Sequence, residues 1–529
     1  MNLKFGTAGL RAVVGPGVDQ LNVPNVTRAT AGVAAWMKKA LQPIRADGRF
    51  HVAVGYDARY GSHPFARSTA ETFAGAGFAV TLIAEPGATP ILAWLVKSRQ
   101  FDAGVQITAS HNPGGDNGYK LYLDGGRQLL SPADAEIEAE IAQQPAASLI
   151  PRSEAKSMDL GAQNGYVTAI SQLVACGEQE KLRKRRTLKI LYTPLHGVGG
   201  EALESALRTN GFGDIHFVAA QRWPDPEFPT VAFPNPEEPG ATDLLLQEAR
   251  ELQPDLLIAL DPDADRCMLG VPDPSNTKYG YRMLRGDETG PLMAKRIVGE
   301  CRAASEEKDG QPAPVVATTV VSSQLLGRMA AHYGWNYVET LTGFKYLARA
   351  ADDQPGELAF AYEEAIGTCP APHVVADKDG IATALVAAQW VAELKEAGRG
   401  LLDELAELEA THGVFRTGQV SVRFASSELA AATVDNVRST PPSQLAGMAI
   451  TAGEIVDSAG QSTTGVKLAG SSGETSIRVL ARPSGTEPKA KFYLEAIGPA
   501  GAGSEVDELL AKLEKEVRAL ASETVPTAR

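Results

Sequence analysis

Short apolar runs rich in β-branched residues alternate along most of the chain with stretches of helical periodicity. The apolar runs have the length of strands and end in turn residues; they are residues 51–57, 188–193, 256–260 and 315–321. Between them, apolar residues recur at helical spacing in residues 65–77, 243–252 and 325–333. Strands that alternate with helices of about ten or more residues are typical of βαβ units. The pattern therefore predicts α/β domains with mostly parallel sheets.

The character of the sequence changes at Val414. From there strand-like segments dominate, and a helical stretch follows at residues 505–521, which predicts an α+β domain. A chain of 529 residues exceeds what one hydrophobic core holds, so we expect several domains. Charged or proline-bearing segments indicate boundaries near residues 179–186, 304–314 and 403–413.

Composition narrows the class of protein and its compartment. The sequence is 44% hydrophobic and 22% charged, as in ordinary globular proteins, and no run of about 18 apolar residues predicts a transmembrane helix. Its start lacks a signal-peptide pattern. Zinc-site and disulfide spacings are absent among Cys176, Cys267, Cys301 and Cys369, so we expect a cytoplasmic protein. The formal net charge of −14 argues against nucleic acid and anionic membranes as partners.

Ser110 is the first candidate for chemistry. It follows the apolar run 105–108 and opens a loop of turn formers, Thr108-Ala109-Ser110-His111-Asn112-Pro113. Its hydroxyl is therefore expected at the carboxyl rim of a sheet, where α/β proteins bind ligands. His111 and Lys120 are close enough in sequence to move its proton or to neutralise an anion beside it. The alternative is a polar turn whose side chains bond only the local backbone.

Three aspartates alternate directly after the apolar run 256–260. Asp261, Asp263 and Asp265 can direct hard oxygen ligands to one point, which suits magnesium. A calcium EF-hand is excluded, since its sixth position is Arg266 instead of glycine and its twelfth is Pro272 instead of glutamate. A surface turn is the remaining alternative, but three carboxylates after a buried strand repel one another unless a cation is near.

Two later segments predict recognition of a sugar and of a phosphate. Glu363 and Glu364 follow an apolar segment, and carboxylates accept hydrogen bonds from vicinal sugar hydroxyls; the alternative is a solvated glutamate pair at a strand end. Both can reach one sugar only if the backbone turns there, because strand neighbours point to opposite sides. Residues 482–486 combine a guanidinium, two hydroxyls and a glycine turn, which suits a phosphate dianion. No Walker loop or dinucleotide fingerprint occurs, so a nucleotide is not implied.

Together these motifs resemble the α-D-phosphohexomutases, the phosphoglucomutase and phosphomannomutase superfamily. The resemblance rests on four segments in the family's order: Thr108–Pro113 with Lys120 downstream, Asp261–Arg266, Glu363–Gly367 and Arg482–Lys489. It runs from near Phe5 to near Lys491, almost the whole chain. The resemblance implies three similar α/β domains with mixed sheets and a smaller C-terminal α+β domain, arranged around a central cleft. The expected domains are residues 1–185, 186–308, 309–412 and 413–529.

The resemblance also implies roles for particular residues. Ser110 would carry a catalytic phosphoryl group, with Arg11 directed toward it and with proton transfer by Lys120, His111 or Lys378, each suitable if neighbouring cations lower its pKa. Ser110, Asp261, Asp263 and Asp265 would hold Mg²⁺. The substrate-binding residues would be Glu363, Glu364, Arg266, Lys345, Thr342, Gly343, Arg482, Ser484, Gly485, Thr486 and Lys489.

The implied reaction is a phosphomutase reaction. A sugar 1-phosphate and a sugar 6-phosphate would be interconverted through a phosphoserine enzyme, with a sugar 1,6-bisphosphate as intermediate and activator. Glucose is the expected sugar, and mannose or a pentose is the alternative. Ala365 and Ile366 depart from the common family pattern, and Thr368, Cys369 and Pro370 stand where some phosphomannomutase-type members have a histidine just after the sugar loop. The sequence there resembles most the branch that includes the phosphopentomutase-like phosphoglucomutases.

Two other kinds of protein compete with this interpretation. A magnesium-dependent sugar-phosphate phosphatase would use the aspartate loop but leave Ser110 and the Arg482 segment unexplained. A sugar-phosphate sensor would tolerate loss of Ser110 or of one aspartate, and this chain keeps them all. The partners are expected to be small sugar phosphates, and the protein a monomer or dimer. Ser110, Asp261, Glu363 and Arg482 are expected to line one cleft.

Overall fold

The computed structural model describes residues 9–159, 161–174, 179–305, 312–484 and 488–523. The chain forms two compact units. The first comprises Met1–Thr289 and Ala365–Gly400, and the second comprises Gly290–Glu364 and Leu401–Arg529. Within the described residues, no helix combines the length and the apolar character needed to cross a bilayer.

The first sheet is mixed, with a parallel centre. Its order is β1-β5-β4-β2-β3-β7, with β6 paired to β5. β2 is parallel to β3 and β4, whereas β5 is antiparallel to β4 and β1. The elements are β1 (Leu10–Val13), α1 (Val23–Ala40), β2 (His51–Tyr56), α2 (Ser62–Gly75), β3 (Ala79–Ile83), α3 (Thr89–Ser98), β4 (Ala103–Ile107), β5 (Asp116–Leu123), β6 (Arg127–Gln128), α4 (Ala133–Gln143) and β7 (Lys156–Met158).

The second sheet is also mixed and has the order β12-β11-β10-β8-β9. β8 is parallel to β9 and β10, and β11 is antiparallel to β10. Every residue of β10 is buried, which explains its unbroken apolar sequence. The elements are α5 (Ala162–Ser171), α6 (Gln179–Thr187), β8 (Lys189–Thr193), α7 (Gly199–Thr209), β9 (Asp214–Phe217), α8 (Asp243–Leu252), β10 (Leu256–Leu260), β11 (Cys267–Pro272), β12 (Tyr281–Met283) and α9 (Gly286–Ser305).

The second unit starts at Gly290 within α9 and contains a parallel arrangement in which β13 lies between β14 and β15. Its elements are β13 (Val315–Thr319), α10 (Leu325–Tyr333), β14 (Asn336–Thr340), α11 (Phe344–Leu347) and β15 (Leu358–Glu363). The chain then contributes β16 (Gly367–Cys369) and α12 (Gly380–Glu396) to the first unit, where α12 packs against β10, β11 and α7.

The C-terminal part of the second unit is an antiparallel sheet with helices on one face. Its order is β17-β23-β22-β21-β20. α14 and α15 pack on this sheet and bury alternate residues of β22, among them Ile477, Val479 and Ala481. The elements are α13 (Leu401–His412), β17 (Val414–Arg423), α14 (Ser427–Ser439), β18 (Gln444–Leu445), β19 (Met448–Ala449), β20 (Thr451–Val456), β21 (Ser462–Ser472), β22 (Thr475–Pro483), β23 (Lys489–Gly498) and α15 (Gly503–Glu523).

The predicted fold class is confirmed: α/β domains with mixed sheets precede a smaller C-terminal α+β domain. The four predicted strands and four predicted helices lie within two or three residues of their observed positions. The charged segments near 179–186 and 403–413 are helical, in α6 and α13, and their place as domain boundaries stays a prediction. Arg185 in α6 and Glu404 in α13 are buried, so charge in these segments does not by itself mark a solvated surface.

Candidate active site

Ser110 lies three residues beyond the end of β4, at the predicted rim of the first sheet. Its Oγ donates a hydrogen bond to Asp261 Oδ2 at 2.7 Å, and its N–H donates to Thr108 Oγ1 at 2.9 Å. The residue is 2% exposed, and its φ of +52° is left-handed, which is uncommon for a residue with a Cβ. Such backbone strain is concentrated at functional sites, where the surrounding structure maintains it.

The three aspartates follow β10 directly, as predicted, and converge. Their side chains are buried, and one carboxylate oxygen from each lies within 4.8 Å of the others. Asp261 Oδ1 accepts from the Arg266 N–H at 3.0 Å, and Asp263 Oδ2 accepts from Thr89 Oγ1 at 2.6 Å. The Oδ1 atoms of Asp263 and Asp265 are buried without a hydrogen-bond partner among the described residues. Clustered hard oxygens with unused lone pairs fit a divalent cation such as Mg²⁺.

The electrostatics of this aspartate loop are those of a site that requires positive charge. Burial raises the pKa of Asp261 well above its ordinary value, and the carboxylates of Asp263 and Asp265 raise it further. Burial also disfavours ionisation of Asp263, but the Lys120 ammonium outweighs it and lowers the pKa of that carboxyl. The nearby cations therefore favour ionisation of the Asp261 carboxyl least among the three.

Lys120 supplies part of that charge from β5. Its Nζ donates to Asp263 Oδ2 at 2.6 Å and to Asp265 Oδ2 at 2.8 Å. Burial lowers the pKa of Lys120, but these two carboxylates raise it by more, so the net direction is upward. This direction is opposite to the one expected from neighbouring cations. With two buried carboxylates in contact, Lys120 is held as an ammonium ion in this arrangement.

The other predicted cations also surround the Ser110 loop. Arg266 Nη1 lies 2.6 Å from His111 Nδ1; because a guanidinium can only donate, Nδ1 is the acceptor. Arg11 Nη1 donates to Asn112 Oδ1 at 3.0 Å. Lys378 Nζ lies 3.4 Å from Asp265 Oδ2. The first unit thus brings together Ser110, the three aspartates and all five of their predicted basic neighbours.

Side chains of the first sheet hold the segment that carries Lys378. Asp377 Oδ2 accepts from Tyr122 Oη at 2.9 Å and from Gln128 Nε2 at 2.6 Å. Asp379 caps α12 by accepting from the Ala382 N–H, and it also accepts from Tyr166 Oη at 2.5 Å. Tyr122 was not among the predicted site residues, although Tyr122 lies two residues after Lys120 and therefore on the same side of β5.

Stability is expected to depend on pH through Asp379. Burial raises the pKa of Asp379 to about 6, above the ordinary value of 3.8. Between these values the folded protein binds more protons at this site than the unfolded chain, so stability falls as pH rises. Between about pH 4.5 and pH 7 this loss of stability amounts to about 2 kcal/mol. The replacement Asp379→Asn keeps a capping oxygen and is expected to abolish the loss. The measurement is the thermal midpoint of both proteins at about pH 4.5 and pH 7. An equal change in thermal midpoint between the two pH values in both proteins would contradict the raised pKa of Asp379.

Arg59 supports the catalytic loop and was missed in the sequence analysis. Its guanidinium is 4% exposed and donates to the carbonyl oxygens of Ser110 at 2.5 Å, Asn112 at 2.7 Å and Pro113 at 2.8 Å. Asp57 holds it from behind, with Oδ2 at 3.3 Å from Nε. The only available signal was an arginine just past the predicted strand 51–57, which reads equally well as a surface residue.

Arg59→Lys is expected to lower kcat by about 100-fold. The point-like ammonium of lysine cannot reproduce the two arms of the guanidinium that bond these carbonyls, and a small displacement of the nucleophile is costly. Steady-state kinetics, with the thermal midpoint as a measure of folding, tests this. The matched control is Arg67→Lys, which alters an exposed pair with Glu71 on the same helix α2. An Arg59→Lys protein with wild-type kcat would show that the Ser110 loop keeps its conformation without the Arg59 guanidinium.

In the second unit the two glutamates have different environments. Glu363 ends β15 and is 6% exposed. The Glu364 N–H donates to Ser322 Oγ at 3.2 Å, and its Oε2 lies 3.2 Å from Thr319 Oγ1. Glu364 is therefore bonded back to the loop that follows β13. This contact gives Glu364 a structural partner, so its role as a sugar ligand stays a prediction.

The phosphate segment and the 342–345 segment meet within the second unit. Arg482, on β22, donates from Nη1 to Thr342 Oγ1. Gly343 has a φ of +124°, and Lys345 is buried at 4% exposure beside Tyr346. The Ser484 N–H donates to the Lys489 carbonyl at 2.8 Å, while Gly485 and Thr486 lie outside the described residues. That Glu363 and Arg482 share one cleft with Ser110 and Asp261 stays a prediction.

Comparison with known proteins assigns the chain to a family. Residues 2–147, 164–274 and 285–410 match α/β/α domains I, II and III of phosphoglucomutase/phosphomannomutase. A protein of Haemophilus influenzae described as "Probable phosphomannomutase" is 36% identical, covering 93% of this chain and 96% of that one. Human phosphopentomutase is 30% identical over 98% of this chain and 88% of its own.

Solved structures show the same architecture. Parafusin, a phosphoglucomutase of Paramecium, superimposes with a TM-score of 0.74 at 18% identity, covering 99% of this chain and 96% of that one. At that identity the likeness concerns the fold. The sequence matches reach further, because they span three domains and nearly the full length of relatives at 30% identity or more. The chain therefore belongs to the phosphoglucomutase/phosphomannomutase family of the α-D-phosphohexomutase superfamily and is a phosphomutase.

Proposed function

We propose that the protein interconverts a sugar 1-phosphate and a sugar 6-phosphate, with glucose as the preferred sugar, through a phosphoserine at Ser110 and a sugar 1,6-bisphosphate. The observation that carries the proposal is the 2.7 Å contact between Ser110 Oγ and Asp261 Oδ2. It places a strained, buried hydroxyl against three clustered carboxylates. This position suits a hydroxyl that accepts and gives up a phosphoryl group beside a bound cation.

The roles of the surrounding residues follow from their positions. Asp261, Asp263 and Asp265, with an oxygen on Ser110, would hold Mg²⁺, which when bound neutralises charge on the transferring phosphoryl group. Lys120, Arg11 and Arg266 add positive charge on the protein side of the same loop. Lys378 and His111 are the proposed carriers of the proton that the substrate hydroxyl gives up.

The second unit is proposed to read the sugar and to hold the phosphate that does not react. Glu363 and Glu364 would accept hydrogen bonds from ring hydroxyls. The phosphate contacts would come from Arg482, Ser484, Gly485, Thr486, Lys489, Lys345, Thr342 and Gly343. In this scheme residues 1–185, 186–308, 309–412 and 413–529 are the four domains around one cleft. Between the two half-reactions the bisphosphate reorients so that its other phosphate faces Ser110.

The choice of sugar is the least constrained part of the proposal. The relatives carry the names phosphomannomutase, phosphopentomutase and phosphoglucomutase. Ala365 and Ile366 replace residues common in the family's sugar loop, which concerns ring recognition and leaves the phosphoryl-transfer residues unchanged. Glucose is proposed, with mannose and pentose phosphates as the alternatives.

The test is kcat/KM for α-glucose 1-phosphate, mannose 1-phosphate and deoxyribose 1-phosphate, with magnesium and trace sugar bisphosphate. We expect isomerisation without net release of phosphate, and we expect glucose 1-phosphate to have the highest kcat/KM of the three sugar phosphates. A higher value for another sugar would correct the substrate but keep the reaction. Release of free phosphate without isomerisation would replace the mutase with a magnesium-dependent phosphatase.

A further inference from the structure

One face of the C-terminal sheet carries a row of three cross-strand pairs. On β22 and β23 these are Arg478 with Glu495, Leu480 with Tyr493, and Arg482 with Lys491. The intervening residues of β22 point to the opposite face, toward α14 and α15. Leu480 and Tyr493 pack against Val320 and Val321, which follow β13. The row therefore faces the loop after β13 within the second unit.

The pair Arg478 and Glu495 holds that loop by its backbone. Arg478 donates to the Val320 carbonyl at 3.1 Å and to the Ser322 carbonyl at 2.5 Å, and its Nη2 lies 2.8 Å from Glu495 Oε2. Glu495 Oε1 accepts from Ser323 Oγ at 2.7 Å and from the Gln324 N–H at 2.8 Å. Arg478 and Glu495 are 6% and 2% exposed. We call residues 319–324 the anchor segment.

The anchor segment is in turn bonded to the sugar loop. Ser322 Oγ accepts from the Glu364 N–H at 3.2 Å, and Thr319 Oγ1 lies 3.2 Å from Glu364 Oε2. Glu364 is the residue immediately after Glu363, at the point where β15 ends. A displacement of the anchor segment would therefore be passed to the backbone beside Glu363.

The same strand that carries Arg478 carries Arg482 four residues later on the same side. Resting on the proposed function, we propose that Arg478 and Glu495 are positioning residues that set the distance between the sugar loop and the Arg482 phosphate segment, and so determine which sugar phosphate fits. Hexose and pentose phosphates differ in the spacing of ring and phosphate. A fixed spacing between the two groups of contacts favours one length over the other.

Three variants test this at different steps. Glu495→Gln removes the charge but keeps an acceptor for Ser323 and Gln324. Arg478→Lys keeps the charge but loses the fork that holds two carbonyls. Ser322→Ala leaves the ion pair intact and removes the hydroxyl that accepts from the Glu364 N–H, while the contact of Thr319 with Glu364 remains. The matched control is Arg416→Lys on β17, which alters contacts with Asp507 and Glu409 in the same unit.

The readouts are the ratio of Kd values for glucose 6-phosphate and ribose 5-phosphate by calorimetry, and the corresponding ratio of kcat/KM for the 1-phosphates. In each of the three variants we expect the hexose-to-pentose ratio of Kd values and that of kcat/KM values to move roughly tenfold closer to one. The change should arise mainly in Kd and KM. Arg416→Lys should keep the wild-type ratios. The magnesium concentration for half-maximal activity should stay unchanged throughout, because the aspartate loop belongs to the first unit.

The outcomes separate this proposal from the one it rests on. Variants that unfold at lower temperature but keep the wild-type ratios would overturn it, because the pair would then be structural only. A wild-type ratio in Ser322→Ala, together with a ratio closer to one in Glu495→Gln, would overturn the route through the Ser322 hydroxyl. If the wild type isomerises no sugar phosphate, the proposed function fails, while the Kd ratio still decides the role of Arg478 and Glu495.

Discussion

Replacing Ser110 with alanine is expected to reduce isomerisation by roughly 10⁴-fold or more, because the phosphoryl group would lose its carrier. The fold should survive the change. The Ser110 hydroxyl makes one hydrogen bond to Asp261, and the loop is held mainly through its backbone by Arg59. We expect the thermal midpoint to stay within a few degrees of wild type and the affinity for glucose 6-phosphate to remain measurable. Initial rates with a coupled assay and calorimetric binding give the two numbers.

The control for this variant is Ser439→Ala, which removes an exposed hydroxyl bonded to the Asp435 carbonyl on α14. It should retain full activity. A Ser110→Ala protein that isomerises within about tenfold of the wild-type rate would show that transfer does not pass through this serine. The loss must appear in kcat, since a change confined to KM would mean that Ser110 only binds substrate.

Asp263→Asn is expected to abolish the stabilisation of the protein by magnesium. A cation that binds only the folded state raises the thermal midpoint, and the stabilisation grows with the logarithm of one plus the ratio of the Mg²⁺ concentration to Kd. Wild-type protein should therefore unfold at higher temperature in millimolar Mg²⁺ than in EDTA. The substituted amide would lack the charged oxygen that the buried, unpartnered Oδ1 of Asp263 now offers. We expect at least about a 100-fold rise in the magnesium concentration required for activity.

The same variant also changes the charge balance of the aspartate loop when no magnesium is bound. In EDTA, Asp263→Asn removes one of three clustered carboxylates and so reduces their repulsion, but it also deprives Lys120 of one partner. The matched control, Asp243→Asn, changes an exposed aspartate at the start of α8 and should keep the wild-type response to Mg²⁺. An undiminished shift in thermal midpoint with Asp263→Asn would place the cation elsewhere.

Local pattern predicted the elements of the fold well. β10 matches the predicted apolar run 256–260 because a strand buried on both faces has no polar positions to obscure its limits. α8 and α10 match because their apolar residues recur at helical spacing. The charged segments near 179–186 and 403–413 form helices that charge alone did not indicate, since a solvated helix and a linker have similar compositions.

Contacts between distant residues required more than local pattern. Ser110 and Asp261 are separated by 151 positions, and only the order of four motifs indicated that they meet. Arg59 was missed because nothing in its neighbourhood distinguishes a buried guanidinium from a surface one. The direction of the pKa of Lys120 was likewise out of reach, because it depends on which carboxylates the fold places within hydrogen-bond distance.

The central claim is that Ser110 carries the phosphoryl group between two positions of a sugar. The most direct test is peptide mass spectrometry of the enzyme after brief incubation with glucose 1,6-bisphosphate and Mg²⁺, followed by a chase with glucose 1-phosphate. We expect one phosphoryl group on the peptide that contains Ser110, and its transfer to the added sugar phosphate at the rate of turnover. A label on another residue, or its loss to water at the rate of turnover, would contradict the account.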